Sequence, residues 1–123
     1  MNIYSTDSTF QVRERFRDRY PMLDLHFYRS AHKPFRGNLE TEELRADLPL
    51  TTLSPNIKDG TVNIDGEVTA ISLEQALEED FGLHVQLVRR SGRQWMQTSL
   101  TDKWTLQHHM NFAAAEAEAE TDG

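Results

Sequence analysis

The stretch from Val68 to Ser99 constrains the fold of this chain more than any other. In it, start, stop and turn signals for a helix and two strands follow one another without a gap. Thr69 is a good N-cap, since its hydroxyl can accept from a first-turn N–H that has no partner within the helix. Val68 and Leu73 stand in hydrophobic-staple positions. Leu73, Leu77 and Phe81 recur every fourth residue, which predicts a helix over 70–81, and Gly82 supplies its left-handed cap. Leu83, Val85 and Leu87 then alternate with His84, Gln86 and Val88, and RQWMQTS continues the same period. A two-residue loop at Ser91-Gly92 would pair Arg90 with Arg93, Arg89 with Gln94, Val88 with Trp95, Leu87 with Met96 and Val85 with Thr98. In that register Leu83, Val85, Leu87 and Met96 pack on the helix. His84, Gln86, Val88, Trp95 and Gln97 share the other face.

The rest of the chain is written less completely. STFQVRERFRDRY, residues 8–20, reads as a helix: Ser8 and Gln11 have capping-box spacing, Val12, Phe16 and Tyr20 form one stripe, and Pro21 ends it. MLDLHFYR, residues 22–29, has a strand's period, with Leu23, Leu25 and Phe27 toward a core and Asp24, His26 and Tyr28 toward water. SAHKPFRGN reads as a basic loop, the acidic LETEELRAD that follows as a short helix stopped by Pro49, and residues 49–60 as a connection. TVNID is a short strand with Val62 and Ile64 on one side. Thr101-Asp102 can cap a final short helix through Trp104 and Met110, and AAAEAEAETDG lacks an apolar stripe, which predicts disorder. No internal repeat is visible. These elements predict one α+β domain over 1–112, with a tail at 113–123. Its architecture would be two-layered, a mostly antiparallel sheet of about four strands with helices on one face.

A resemblance covers about a third of the chain. Phe81, Gly82, Leu83, Val85, Gln86, Arg89, Ser91, Gly92, Trp95, Asp102, Trp104, Thr105 and Leu106 spell F-G-L-x-V-Q, R-x-S-G, W and D-x-W-T-L. This resembles small bacterial proteins in which a helix, a strand, a turn and a tryptophan strand follow in that order. The resemblance implies the hairpin and no activity.

Charge and composition narrow the function classes. Of 123 residues 20 are acidic and 13 basic, a net charge of −7, which argues against a generally basic nucleic-acid coat protein. The charge is uneven: +3 over residues 1–36, −9 over 37–88 and −1 over 89–123. No apolar run approaches the ~20 residues of a membrane helix, and the N-terminus lacks signal-peptide features, so a cytoplasmic location is expected. With no cysteine, thiol catalysis, disulfides and thiolate metal sites are excluded. His108 and His109 are adjacent, and no H-x-x-E, H-x-H or HExxH pattern occurs; G-x-S-x-G and glycine-rich phosphate loops are absent too. No catalytic residue, metal ligand or cofactor is therefore nominated.

What remains is the hairpin and the open sheet face. Arg89, Arg90 and Arg93 surround Trp95, with Tyr28 and His84 on the same predicted face, and these six are the candidate binding residues. Arg90 and Arg93 facing each other would repel unless an acidic group sat between them. The expected function is a non-enzymatic protein-interaction or regulatory module. The alternatives are a nucleic-acid-binding protein using Arg89, Arg90, Arg93 and Trp95, and an enzyme with a histidine–carboxylate site on the open face.

Overall fold

The computed structural model describes residues 1–29 and 42–122. In chain order these are β1 (Asn2–Ile3), α1 (Thr9–Arg19), β2 (Leu23–Tyr28), α2 (Leu50–Leu53), β3 (Gly60–Thr61), α3 (Ala70–Phe81), β4 (His84–Ser91), β5 (Gln94–Gln97) and α4 (Leu106–Asp122). The fold is two-layered α+β. All pairing is antiparallel, as expected, but the strands form two sheets, β2-β4-β5 and the small β1-β3, in place of one. The TVNID segment explains the split, since Thr61 pairs with Asn2 and Val62 N–H bonds the Met1 carbonyl at 2.9 Å. Val62 and Ile64 still point into the core.

The two long predicted helices form as their capping chemistry demands. Gln11 N–H bonds Ser8 Oγ at 3.3 Å while Ser8 N–H bonds Gln11 Oε1 at 2.8 Å, a complete capping box. Ser72 N–H bonds Thr69 Oγ1 at 3.2 Å, and Gly82 closes α3 at φ +67°, where an added Cβ would sit 2.7 Å from Ser54 Oγ. The stripes Val12, Phe16, Tyr20 and Leu73, Leu77, Phe81 meet Leu23, Leu25, Phe27, Leu83, Val85 and Leu87 in one core.

The hairpin differs from the sequence reading by one pair. Ser91 is opposite Gln94, Arg90 opposite Trp95, Arg89 opposite Met96 and Val88 opposite Gln97. The loop is therefore Gly92-Arg93. Favoured two-residue hairpin loops need a positive φ at their first position, which Gly92 adopts at +59° and Ser91 would resist. Arg93 thus leaves the ladder, and the expected Arg90–Arg93 repulsion does not arise. Met96 is opposite Arg89, not Leu87, and is 47% exposed, so it is not a core residue. Thr98 takes the place beside Leu87, its N–H 3.3 Å from the Leu87 carbonyl.

Four further expectations are corrected. The acidic segment is not helical over 43–48; Glu43 bridges Tyr28, and Leu44 N–H bonds the Phe27 carbonyl at 2.8 Å. Its earlier residues, and the basic loop from Ser30 to Asn38, lie outside the described residues. The connection 49–60 contains the one-turn helix α2. The last helix is capped by Thr105, whose Oγ1 accepts the His108 N–H at 3.1 Å, and not by Thr101-Asp102. It also continues to Asp122, so the Ala/Glu segment is helical instead of disordered. Ala113 is 1% exposed, and this contact, together with the high helix propensity of Ala and Glu, extends the helix beyond the expected boundary at 112.

The structure also contains a duplication that the side chains conceal. Ser8 and Thr69, the N-caps of α1 and α3, bridge Pro49 and Thr105, which precede α2 and α4. Thr9 N–H bonds Leu48 O at 2.8 Å and Leu50 N–H bonds Asp7 O at 2.9 Å. The matching pairs are Ala70 to Trp104 at 3.0 Å and Leu106 to Val68 at 2.8 Å. Each helix leads to a strand, β2 or β4, and each strand to a short antiparallel return, with Tyr28–Glu43 matching Val88–Gln97. In this correspondence His26 and Gln86 are equivalent and lie opposite each other, so a local two-fold axis passes between them.

Two stability tests follow. Leu77→Ala should lower unfolding free energy in urea by about 2–5 kcal/mol, while Glu78→Ala and Met96→Ala should each stay within about 0.5. Truncation before Ala113 should lower the melting temperature by several degrees, whereas truncation after Glu118 should leave it unchanged.

Candidate functional site

The strand period puts Asp24, His26, Tyr28, Gln86, Val88, Arg90, Trp95 and Gln97 on the sheet face turned away from the core. This face is not simply wet, as the sequence suggested. Asp24, Tyr28, Gln86 and Val88 are all buried. A cleft of about 510 Å³ lies over it, lined among the described residues by His26, Tyr28, Glu43, Arg45, Val88, Trp95 and Gln97. Tyr28 and Glu43 come from one half of the duplication, Val88 and Gln97 from the matching positions of the other.

At one end of the cleft the groups form a chain. His26 Nδ1 is 2.9 Å from Glu43 Oε1, and Arg45 Nε is 2.9 Å from Glu43 Oε2. A neutral imidazole can meet a carboxylate only through an N–H, so Nδ1 carries the proton and Nε2 the lone pair. Burial pushes the His26 pKa below its ordinary value, and the nearby Glu43 and Asp24 carboxylates only partly oppose this. Gln97 Nε2 donates to the Tyr28 hydroxyl at 3.3 Å; burial, with the Glu43 charge beside it, pushes the phenol up to about 12 and keeps it protonated.

At the other end two cations lie against Trp95. The Arg17 guanidinium carbon is 5.5 Å from its ring centre and that of Arg90 5.4 Å. Arg90 is held there by a 2.8 Å bond from Nε to the Gly92 carbonyl, and Arg17 reaches across from α1. Between them and the core, Arg13 grips the buried Asp24 carboxylate through two bonds of 3.1 and 2.8 Å, while Asp24 Oδ1 also accepts the Leu25 N–H at 2.7 Å.

The six residues nominated from the sequence divide evenly. Trp95 and Tyr28 line this cleft, and Arg90 lies against the Trp95 ring beside it. Arg93 is exposed in the hairpin loop, and His84 sits beyond the cleft, half-buried, with Nδ1 3.8 Å from Glu78. Arg89 is on the opposite face beneath α4, its guanidinium carbon 5.3 Å from the Trp104 ring centre and 4.6 Å from that of Phe112. Its Nη1 donates to His109 Nδ1 at 2.9 Å, and His109 Nε2–H donates to the Thr101 carbonyl at 3.0 Å. That pair is structural: burial first, then the Arg89 charge, pulls the His109 pKa down to about 4. Sequence reading missed Glu43, Arg45 and Arg17. Only Arg17 left a signal, as one of four arginines on α1.

Compared with protein-family models, with curated proteins and with solved structures, the chain matches none. Among the described residues no three His, Asp or Glu side chains group as a metal site would require, and no helix is long and apolar enough to cross a membrane.

The His109 geometry makes a pH prediction. Its folded pKa lies below the unfolded value near 6.5, so the unfolded chain binds the proton first. The stability from the neutral ring is complete above pH 6.5 and lost as pH falls toward 4. Denaturant titrations between pH 7 and 4 should show a fall of the order of 3 kcal/mol from this group, absent in His109→Gln.

Proposed function

We propose that this protein is a binding module whose cleft takes an acidic, extended segment of a partner protein. The observation that carries the reading is Trp95, a lining residue of the cleft, with the Arg17 and Arg90 guanidinium groups both against its ring. An indole in that position offers apolar area, and the two guanidinium groups offer planar donors matched to a carboxylate. Among the described residues no acid pairs with Arg90, and the acid within reach of Arg17 is Asp24 at 3.9 Å, whose carboxylate is already bound by Arg13.

One observation favours a protein partner over a nucleic acid. Arg89 is turned under α4, so the hairpin does not present a continuous basic strip. The His26–Glu43 pair has the form of an acid–base dyad, but the described lining contains no serine, threonine or cysteine to serve as nucleophile.

Fluorescence anisotropy with labelled decapeptides tests the reading. Peptides carrying Asp or Glu should bind, and their Asn or Gln counterparts should bind about tenfold more weakly. Arg17→Ala, Arg90→Ala and Trp95→Ala should each weaken acidic peptides by about five- to tenfold without changing the melting temperature, and raised salt should weaken them further. Equal affinity for acidic and amide peptides, or tighter binding of a single-stranded oligonucleotide than of any peptide, overturns the proposal.

A further inference from the structure

We infer that the cleft reads its segment at two points four residues apart: an acidic side chain at Arg17, Trp95 and Arg90, and a serine or threonine hydroxyl at His26. This rests on the reading above and specifies its ligand.

The spacing comes from the sheet. His26 lies opposite Gln86, and Val88 and Arg90 follow on the same face of β4 two and four residues further on, with Trp95 opposite Arg90. At ~3.3 Å per residue, the His26 row and the Arg90 row are ~13 Å apart along the strand. An extended segment lying along β4 has the same rise and the same two-residue period. Its side chains at i, i+2 and i+4 therefore fall over the Arg90, Val88 and His26 rows. Val88 is apolar and 1% exposed, so the middle position makes no polar contact with the sheet.

The chemistry at His26 selects the second anchor. With Nδ1–H committed to Glu43, Nε2 is an acceptor only, and it has no hydrogen-bond partner among the described residues. The His26 side chain lines the cleft and is 16% exposed. An acceptor at the end of a cleft demands a donor. A hydroxyl supplies one without a charge, whereas a lysine would add a cation beside Arg13 and Arg45.

The probes are labelled decapeptides with the core Glu-Gly-Val-Gly-Ser, its reverse order, a Ser→Ala version of each, and a version with Ser moved one residue closer. On the natural protein one orientation should bind, and both Ser→Ala and the shifted spacing should lose about fivefold. His26→Phe, checked for an unchanged circular dichroism spectrum, should bind the Ser and Ala peptides equally. If Ser and Ala peptides bind the natural protein equally, or if spacing makes no difference, the two-point reading fails whatever His26→Phe does. Preference for Glu over Gln would in that case persist and leave the acidic-segment reading standing; its disappearance as well would remove both.

Discussion

The ladder between β2 and β4 is the contact on which the rest of the structure depends. Six residue pairs from Leu23–Arg89 to Tyr28–His84 join the two halves of the duplication. On one side they bring Leu25 against Leu87 and Phe27 against Val85, the floor on which α1 and α3 pack. On the other side they set His26 opposite Gln86 and place Asp24 and Val88 between the two ends of the cleft. Every side chain that lines the cleft is positioned by this register or by a strand returning from it, and only Arg17, against Trp95, comes from a helix. A slip of one residue would exchange the core face for the cleft face.

A ladder this central has flanks that only polar side chains can finish. Where β5 has ended, the Leu87 N–H bonds Glu74 Oε2 at 2.8 Å, and Gln86 Nε2 reaches the same oxygen at 3.2 Å. On β2 the Leu25 N–H finds Asp24, and Arg13 offsets the buried charge. These contacts are costly to break singly, because removing one partner strands a buried charge or amide. They also make the cleft rigid. Arg13 fixes Asp24, and with Asp24 satisfied Arg17 is left to lie against Trp95. Beneath α4 Arg89 Nη1 bonds His109 inside an aromatic enclosure of Trp104 and Phe112.

The duplication explains why the cleft sits where it does. A groove between two equivalent halves is lined by matching positions, and divergence at those positions makes it chemically asymmetric. Tyr28 and Glu43 stand where the other half has Val88 and Gln97, and His26 stands where it has Gln86. The helices diverged in the same way, Arg13 and Glu74 being equivalent and of opposite charge, each bound to its own strand. One end is thus cationic and aromatic, the other a histidine that accepts.

The sequence by itself determined the local elements: both capped helices, the Gly82 stop, the alternation of β2 and β4, and the core stripes. Caps and periodicities are short-range, so each is complete within a dozen residues. The hairpin register was legible too, through the positive φ that Gly92 accepts more readily than Ser91. Glu43 and Arg45 were not legible as site residues, because an acidic run that suits a solvated helix became the return strand beside Tyr28. Arg89 and Arg90 are neighbours of one chemical type, and only the packing of α4 tied one to His109 and left the other against Trp95. The repeat was invisible because only scattered equivalent positions, such as Leu23 with Leu83 and Leu50 with Leu106, keep the same side chain, and the backbone pairing that reveals it exists only in the assembled fold. Which polar groups converge is decided by long-range pairing, and that pairing exists only once the two halves meet.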